Sequence, residues 1–415
     1  MNILFIVPYA PTLIRVRPYN LIKSLAARGH RISLATLWTS PQECNSLQDL
    51  RTLGVGVIAE PLSTWRSLRN CLRALPSRAP LQAAYCWQPA LARRIQAWIE
   101  ATPLDIIHVE HLRGAAYGLN TLRTLAVSTA WASGSHARRP AVVYDSVDCI
   151  SCLFQQAASA NSTLRGRLMS RIELARTRRY EAWLAGQFRQ VLVTSPVDRR
   201  ALLDLAAHHA QPTPCICVVP NGVDLAHFGC NGEPRQPDTL VFSGKMSYHA
   251  NASAALYLVR QVMPLVWAER PQVRLTIVGQ GPPGPVRALA ALHAPRVSVT
   301  GTVPDIRPYL HRAAVAVAPM LYAAGIQNKV LEAMAAGTPV VASPLATAAL
   351  AARPEHDLLV AESAHAFARA TLDLLGDAAL RYELGQAGRA YVQAHHAWDG
   401  IAAQLEAVYQ AAMGG

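Results

Sequence analysis

The run Gly325-Ile326-Gln327-Asn328-Lys329-Val330-Leu331-Glu332-Ala333-Met334-Ala335-Ala336-Gly337-Thr338-Pro339-Val340-Val341-Ala342-Ser343 reads as a turn, a short helix, a helix stop and a buried strand. Gly325 permits a positive φ or a close backbone approach. Val330 to Ala336 is a run of good helix formers, and Gly337 stands where a helix commonly ends in a left-handed residue. Thr338-Pro339 leads into Val340-Val341-Ala342, a short apolar run of the kind found in a parallel sheet covered on both faces. A loop that feeds a helix N-terminus gathers unpaired backbone N–H groups and the positive end of the helix dipole, which suits phosphate. Lys329 adds a full positive charge. Glu332 follows on the same helical face, where a carboxylate can accept hydrogen bonds from a diol such as ribose. A lysine and a glutamate at this spacing often form only a solvated ion pair. Their place between a glycine turn and a strand favours a ligand site, because α/β sheets collect ligands at the carboxyl ends of their strands.

Outward from this stretch the second half alternates strands and helices. Thr239–Ser243, Val273–Val278, Val297–Thr300 and Val315–Ala318 read as strands, and Ala252 to about Glu269 as a helix. Before them, 224–238 is rich in Gly, Pro, Asn and Gln without periodicity and reads as a linker. The first half has the same rhythm. Strands are expected at Ile3–Val7, Arg31–Leu37, Asp105–His111, Ala141–Val147, Val191–Ser195 and Cys215–Val219, and 40–100 reads as mostly helical. The fold class is therefore α/β, with two doubly wound Rossmann-like domains facing across a cleft. The expected bounds are 1–223 for the first domain, completed by a C-terminal amphipathic helix within 397–415 that packs back on it, and 239–396 for the second.

The 415 residues allow two or three domains, and 51% hydrophobic against 16% charged residues marks a globular chain. The net charge of +13 favours acidic ligands or anionic lipid headgroups. It is dispersed and carries no nucleic-acid-binding motif, so nucleic acid is not an expected partner. No apolar run spans a membrane and the chain opens directly on a strand, so a cytoplasmic protein with reduced cysteines is expected. Cys149/Cys152 and Cys215/Cys217 lack the matched spacing of a metal site, and no metal is expected.

Several residues lie where a first-domain site belongs. Arg15 and Arg17 precede the first helix at the sheet's carboxyl edge, to meet a phosphate or acidic acceptor or to be solvated. Glu110 and His111 end a buried-type strand, where His111 can hydrogen-bond a sugar hydroxyl, orient an acceptor or be structural. Trp65, Arg66, Arg69, Arg73 and Arg78 make 40–100 basic and partly aromatic, either an acceptor-side or membrane-facing surface or a solvated helical face. Leu164, Leu168, Ile172, Ala175, Tyr180 and Trp183 mark one face of a long helix whose other sides are crowded with arginine. That helix is either packed on the sheet or in peripheral contact with an anionic membrane.

The residues Val219-Pro220-Asn221-Gly222-Val223-Asp224, Phe242-Ser243-Gly244-Lys245-Met246, Ile277-Val278-Gly279, Gly301-Thr302-Val303-Pro304-Asp305 and Gly325 to Val341 resemble the family 4 glycosyltransferases of the GT-B fold. The last stretch, with Tyr144-Asp145-Ser146-Val147-Asp148, looks most like a bacterial sugar-transferase branch linked to exopolysaccharide synthesis. The resemblance implies a retaining, metal-independent hexosyltransferase with no cofactor, using a UDP-, GDP- or dTDP-linked sugar as donor. Its acceptor would be a lipid-linked glycan or a small molecule. Glu332 would hold the ribose, and Lys245 and Lys329 would neutralise the diphosphate with backbone amides of Gly325, Ile326 and Gln327. Thr302 and Val303 would approach the base, and Gly244, Asn328 and Val330 would complete the donor site. His111 or Glu110 would lie near the reacting sugar. The chain departs from the pattern at position 324, where alanine replaces a second glutamate. A second cation after Gly244-Lys245 is missing, with His249, Ala250 and Asn251 in its place, and the first loop lacks its glycine pair. A nucleotide-sugar epimerase of the same architecture and a non-catalytic sugar-nucleotide-binding protein are the competing readings.

Overall fold

The computed structural model describes residues 1–12, 16–127, 139–159, 164–229, 232, 234–323 and 325–414. Arg15 and Ala324 lie outside them. The chain forms two compact units, Met1–Pro220 with Trp398–Gly415, and Asn221–Ala397.

The first unit is built on seven parallel strands: β1 (Asn2–Val7), β2 (Arg31–Trp38), β3 (Gly56–Pro61), β4 (Ile106–Glu110), β5 (Ala141–Val147), β6 (Gln190–Val193) and β7 (Ile216–Val218), in the order β3-β2-β1-β4-β5-β6-β7. Strand side chains alternate between faces, and β1 shows both faces covered. Ile3, Phe5 and Val7 join one core; Leu4 and Ile6 join the other. Helix Trp398–Gly414 closes the Ile3/Phe5/Val7 face with Trp398, Ile401, Leu405 and Tyr409. Glu406 on this helix accepts a bidentate pair from Arg28 at 2.7 Å and contacts His30 at 2.6 Å.

The expectation for 40–100 needs correction, because Gly56–Pro61 is a strand paired with β2. Its six residues lack clear alternation, and its turn glycine and terminal proline resemble loop punctuation. The face expected on the long helix Leu164–Ala185 holds in part: Tyr180 and Trp183 pack on the first-unit core, Ile172 and Ala175 are exposed, and the side chains of Leu164 and Leu168 lie outside those described. Thr177, Glu181, Ala182, Leu184 and Ala185 are buried.

The second unit has six parallel strands, β8 (Gln236–Ser243), β9 (Arg274–Val278), β10 (Val297–Val299), β11 (Ala313–Ala318), β12 (Val340–Ala342) and β13 (Leu359–Val360), ordered β10-β9-β8-β11-β12-β13. The segment read as a linker, 224–238, lies inside this unit, and Gln236–Asp238 opens β8. Arg235 is the physical reason. Its guanidinium donates to the carbonyls of Leu310, His311, Ala313 and Ala336 and to Thr338 Oγ1, at 2.9–3.1 Å. A charged fork with five acceptors pins polar chain that composition alone marks as loose.

Both sheets reverse direction of growth at one point, between β1 and β4 in the first and between β8 and β11 in the second. Two adjacent strands there lead away to opposite sides, leaving a crevice at their carboxyl ends. In the second unit that crevice depends on Gly279, at φ +147°. A Cβ built on it would stand 1.8 Å from the carbonyl oxygen of Gly244. Gly279→Ala is therefore expected to destabilise the protein by about 3 kcal/mol or more, whereas Gly284→Ala, which meets nothing within 4 Å, should be nearly neutral. Thermal unfolding of the two variants checks the contrast; equal melting temperatures would refute it.

Candidate functional site

In the second unit the loop after β8 and the loop after β11 supply the crevice. Gly244, at φ +148°, receives its place from an N–H to Val278 O bond of 3.0 Å. The Asn251 side-chain amide braces the same loop by donating to Lys245 O at 3.0 Å. Lys329 crosses from the other strand: its Cε lies 3.3 Å from the position a Gly244 Cβ would take. The sequence-predicted Gly244 and Lys329 thus meet, although 85 positions separate their numbers (329 − 244).

Gly325 has φ +60° and Gly337 φ +64°, so both glycines adopt the left-handed backbone that their positions suggested. Between them runs helix Asn328–Ala335, with Gln327 at its N-cap and no side chain capping its first amides. Its opening N–H groups keep the positive end of the dipole open toward a ligand. Lys329 Nζ donates to Gln327 Oε1 at 3.0 Å. Desolvation lowers Lys329 to about 8, against the opposing pull of Glu332. Desolvation likewise raises Glu332 to about 7, with Lys329 acting in the opposite sense. Each keeps partial access to solvent. A cation and a carboxylate that burial leaves both less charged are a pair suited to a polar, anionic ligand. Ile326 and Val330 are buried and anchor the turn, and Asn328 Oδ1 accepts from Asn221 Nδ2 at 3.5 Å.

Lys245 and Thr302 are exposed. Gly279 N donates to Gly301 O at 3.2 Å, which brings the turn holding Thr302 and Val303 beside the Gly244 loop. Val303 also lines a cavity of about 440 Å³ beneath helix Arg307–Arg312, with Thr239, Val241, Thr276 and Tyr309; Lys245, Lys329 and Glu332 are not part of its lining. In place of a second cation, His249 stacks on Tyr322 and its Nδ1 lies 2.8 Å from the Tyr322 hydroxyl.

The first unit gathers Arg17, His108, Glu110, His111 and Asp145 at its own crossover. Arg17 corrects the expectation of an arginine offered to an acceptor. It is 4% exposed, its Nε donates to Asp145 Oδ2 at 2.9 Å and its Nη1 to Pro220 O at 3.1 Å. Burial pushes Asp145 up, but the charge of Arg17 and the contact with His108 hold it well below the usual carboxylate range. Tyr409, from the C-terminal helix, contacts His108 Nδ1 at 2.8 Å. This chain of buried polar groups was not assembled from sequence; Asp145 at a strand's carboxyl end was its one local sign.

Glu110 and His111 are neighbours with different settings. Tyr9 donates to Glu110 Oε1 at 2.8 Å, while Oε2 is buried without a partner among the described residues. Burial, with Asp145 adding to it, raises Glu110 to about 8, so the group is a neutral acid at pH 7. His111 has φ +65°, uncommon for a residue other than glycine and a mark of local strain. Its Nδ1 accepts from Arg113 N at 3.2 Å. Burial, reinforced by Arg113, lowers its ring to about 4. A neutral imidazole that accepts at Nδ1 carries its proton at Nε2 and can donate there.

A sequence model of the domain described as "Glycosyltransferase Family 4" matches residues 15–227, and one described as "Glycosyl transferases group 1" matches 237–377. The chain belongs to the family 4 glycosyltransferases. Over 205 residues it is 32% identical to the phosphatidyl-myo-inositol mannosyltransferase of Mycolicibacterium smegmatis, an alignment covering 47% of this chain and 52% of that protein. The protein of the same name from Mycobacterium tuberculosis is 32% identical over 208 residues, covering 47% and 54%. The chain thus spans about half the length of the curated relatives it matches. Among solved structures, sucrose-phosphate synthase from Thermosynechococcus elongatus superposes with a TM-score of 0.68 at 20% identity, covering 99% of this chain and 98% of that one. Anabaena HepE in complex with UDP and glucose gives 0.65 at 13%, covering 99% and 100%. At these identities the likeness concerns the fold, which is the GT-B arrangement of two Rossmann-like domains.

Glu110 supplies a test of the first-unit electrostatics. Its folded value near 8 lies above the ordinary 4.5, so between those values the native state holds the extra proton. Stability from this group therefore falls as pH rises through the window, by up to about 1.4 kcal/mol per unit. Glu110→Gln lacks that dependence. Denaturant unfolding at pH 5.5 and 8 should show the variant gaining on the wild type by about 1–3 kcal/mol, and a difference independent of pH would contradict the burial argument.

Proposed function

We propose that this glycosyltransferase moves a hexose from a nucleoside diphosphate sugar to an acceptor with retention of configuration. The observation that carries the reading is the meeting of Lys329 with Gly244 beside an uncapped helix N-terminus, at the crossover of the second sheet. In this reading the diphosphate lies across the first turn of helix Asn328–Ala335. Amides of Ile326 and Gln327, with Lys329 and Lys245, take up the negative charge that develops as the sugar–oxygen bond breaks. Positive groups fixed before the reaction stabilise that charge with little reorganisation. Burial lowers Lys329 only to about 8, so it remains mostly protonated at pH 7. These groups supply the countercharge, and the reading assigns no role to a metal. Glu332 accepts from the ribose hydroxyls, and Thr302 and Val303 border the base. The solved structure of HepE is a complex with UDP and glucose, which supports a nucleotide donor here.

In the first unit His111, neutral and protonated at Nε2, is suited to donate to a sugar hydroxyl, and Glu110 holds a proton close by. The curated relatives are named for mannosyl transfer to phosphatidyl-myo-inositol, and a lipid-linked acceptor is the corresponding proposal for this chain.

Calorimetric titration with nucleoside diphosphates tests the donor site. Glu332→Gln should weaken binding roughly 10- to 100-fold, the value of a hydrogen bond to a charged group, with an unchanged melting temperature. Lys329→Ala should lower kcat roughly 10²-fold while changing the donor KM much less. Wild-type affinity in the first variant, or wild-type turnover in the second, would remove that residue from the mechanism.

A further inference from the structure

Helix Thr64–Ala74 is built inside out. Its protein-facing residues are Ser67, Asn70 and Ala74. Its solvent-facing residues include Trp65, 80% exposed, with Leu68 and Leu72 and, just past its end, Leu75, each about half exposed. Residues 65, 68, 72 and 75 recur at helical spacing and form one apolar stripe. Ordinary burial would place this stripe inside and the polar side in water. Arg69 and Arg73, both exposed, run along one edge of the stripe, with Arg66 beyond them and Arg78 just after the helix. No described carboxylate pairs with any of the four. From Pro61 to Ile99 the chain has six arginines and no aspartate or glutamate.

Polar bonds, and little apolar packing, hold the helix on the first unit. Asn70 Nδ2 donates to Trp87 O at 2.7 Å, and Arg176 Nη2 donates to the carbonyls of Ala74 and Leu75 at 2.8 and 3.0 Å and to that of Ser77. Ser63 caps its first turn by accepting from Arg66 N. Behind it lies a cavity of about 300 Å³ bordered by Asn70, Ala74, Trp87 and Tyr180. The fold thus fixes the helix at both ends while leaving its large side chains outward.

We propose that helix Thr64–Ala74 docks in the plane of an anionic lipid bilayer. Trp65, Leu68, Leu72 and Leu75 enter the headgroup–acyl boundary, and Arg66, Arg69, Arg73 and Arg78 meet lipid phosphates. A narrow apolar stripe edged by arginine is the pattern that lies within a membrane interface rather than crossing it. Among the described residues no helix is long and apolar enough to cross a membrane. The proposal concerns a face of the first unit and stands independently of the donor assignment.

Flotation with vesicles tests it. The full chain should bind phosphatidylglycerol/phosphatidylcholine vesicles and bind phosphatidylcholine alone, or the mixed vesicles in 1 M salt, at least roughly ten-fold less. Arg69→Glu with Arg73→Glu should weaken partitioning roughly 30-fold or more, and Trp65→Ser with Leu72→Ser roughly ten-fold or more, both with wild-type melting temperatures. Trp65→Phe should still bind while losing most of the tryptophan quenching by brominated lipid. Absence of vesicle binding, or binding unaffected by the double variants, would overturn the proposal. So would a concentration-dependent dimer abolished by Trp65→Ser with Leu72→Ser, which would assign the stripe to a second copy of the chain.

Discussion

The second unit depends on the near contact of two backbones, the Gly244 carbonyl against the Cα of Gly279. No side chain fits between the ends of β8 and β9, and that closeness lets the Gly244 loop fold back with Met246 N donating to Gln280 O at 2.8 Å. Asn251 then braces the loop from below, and Lys329 arrives from the neighbouring strand connection. The sheet reverses at this place, so the loops after β8 and β11 can contribute to one crevice without competing for space. Sequence glycine, sheet order and ligand chemistry are one constraint seen at three scales.

The first unit solves a different problem. Its crossover places acid, base and guanidinium groups deep in the protein, where an unpaired charge is costly. Asp145 answers by engaging Arg17 and His108 together and by accepting from Val147 N at 3.0 Å. Tyr409 ties the network to the last helix, so the C-terminus completes the polar core as well as the apolar one. Glu110, met by the Tyr9 hydroxyl, stays protonated, and His111 is held neutral. One ionised carboxylate and one neutral one, close to a strained histidine, form the kind of split environment found where protons and hydroxyls are handled.

Local pattern carried much of this. Gly337 announced the helix stop, the Val340–Ala342 run announced a buried strand, and the polar end of β4 pointed to Glu110 and His111. What failed was information held at long range. Arg17 looks ligand-facing because its partner Asp145 lies 128 positions away, and His108 looks like one more strand residue because Tyr409 is 301 positions away. Segment 224–238 looks like a linker because composition shows Gly and Pro but not the five acceptors awaiting Arg235. Strand β3 was missed for want of alternation, and the buried face of the long helix includes Glu181 because its carboxylate accepts from Ile150 N and Ser151 N, some 30 positions earlier.

The proposed function rests on a diphosphate binding beside Lys329, and proton linkage reports on that residue in the native protein. Burial leaves Lys329 near its midpoint at pH 8, while Glu332 is already mostly ionised there. An anion beside the lysine must draw it back toward full protonation. Titrating the protein with a nucleoside diphosphate at pH 8, in two buffers of different ionisation heat, should show uptake of up to roughly half a proton per site. Binding accompanied by no proton uptake, or by net proton release, would contradict the placement of the diphosphate at this lysine.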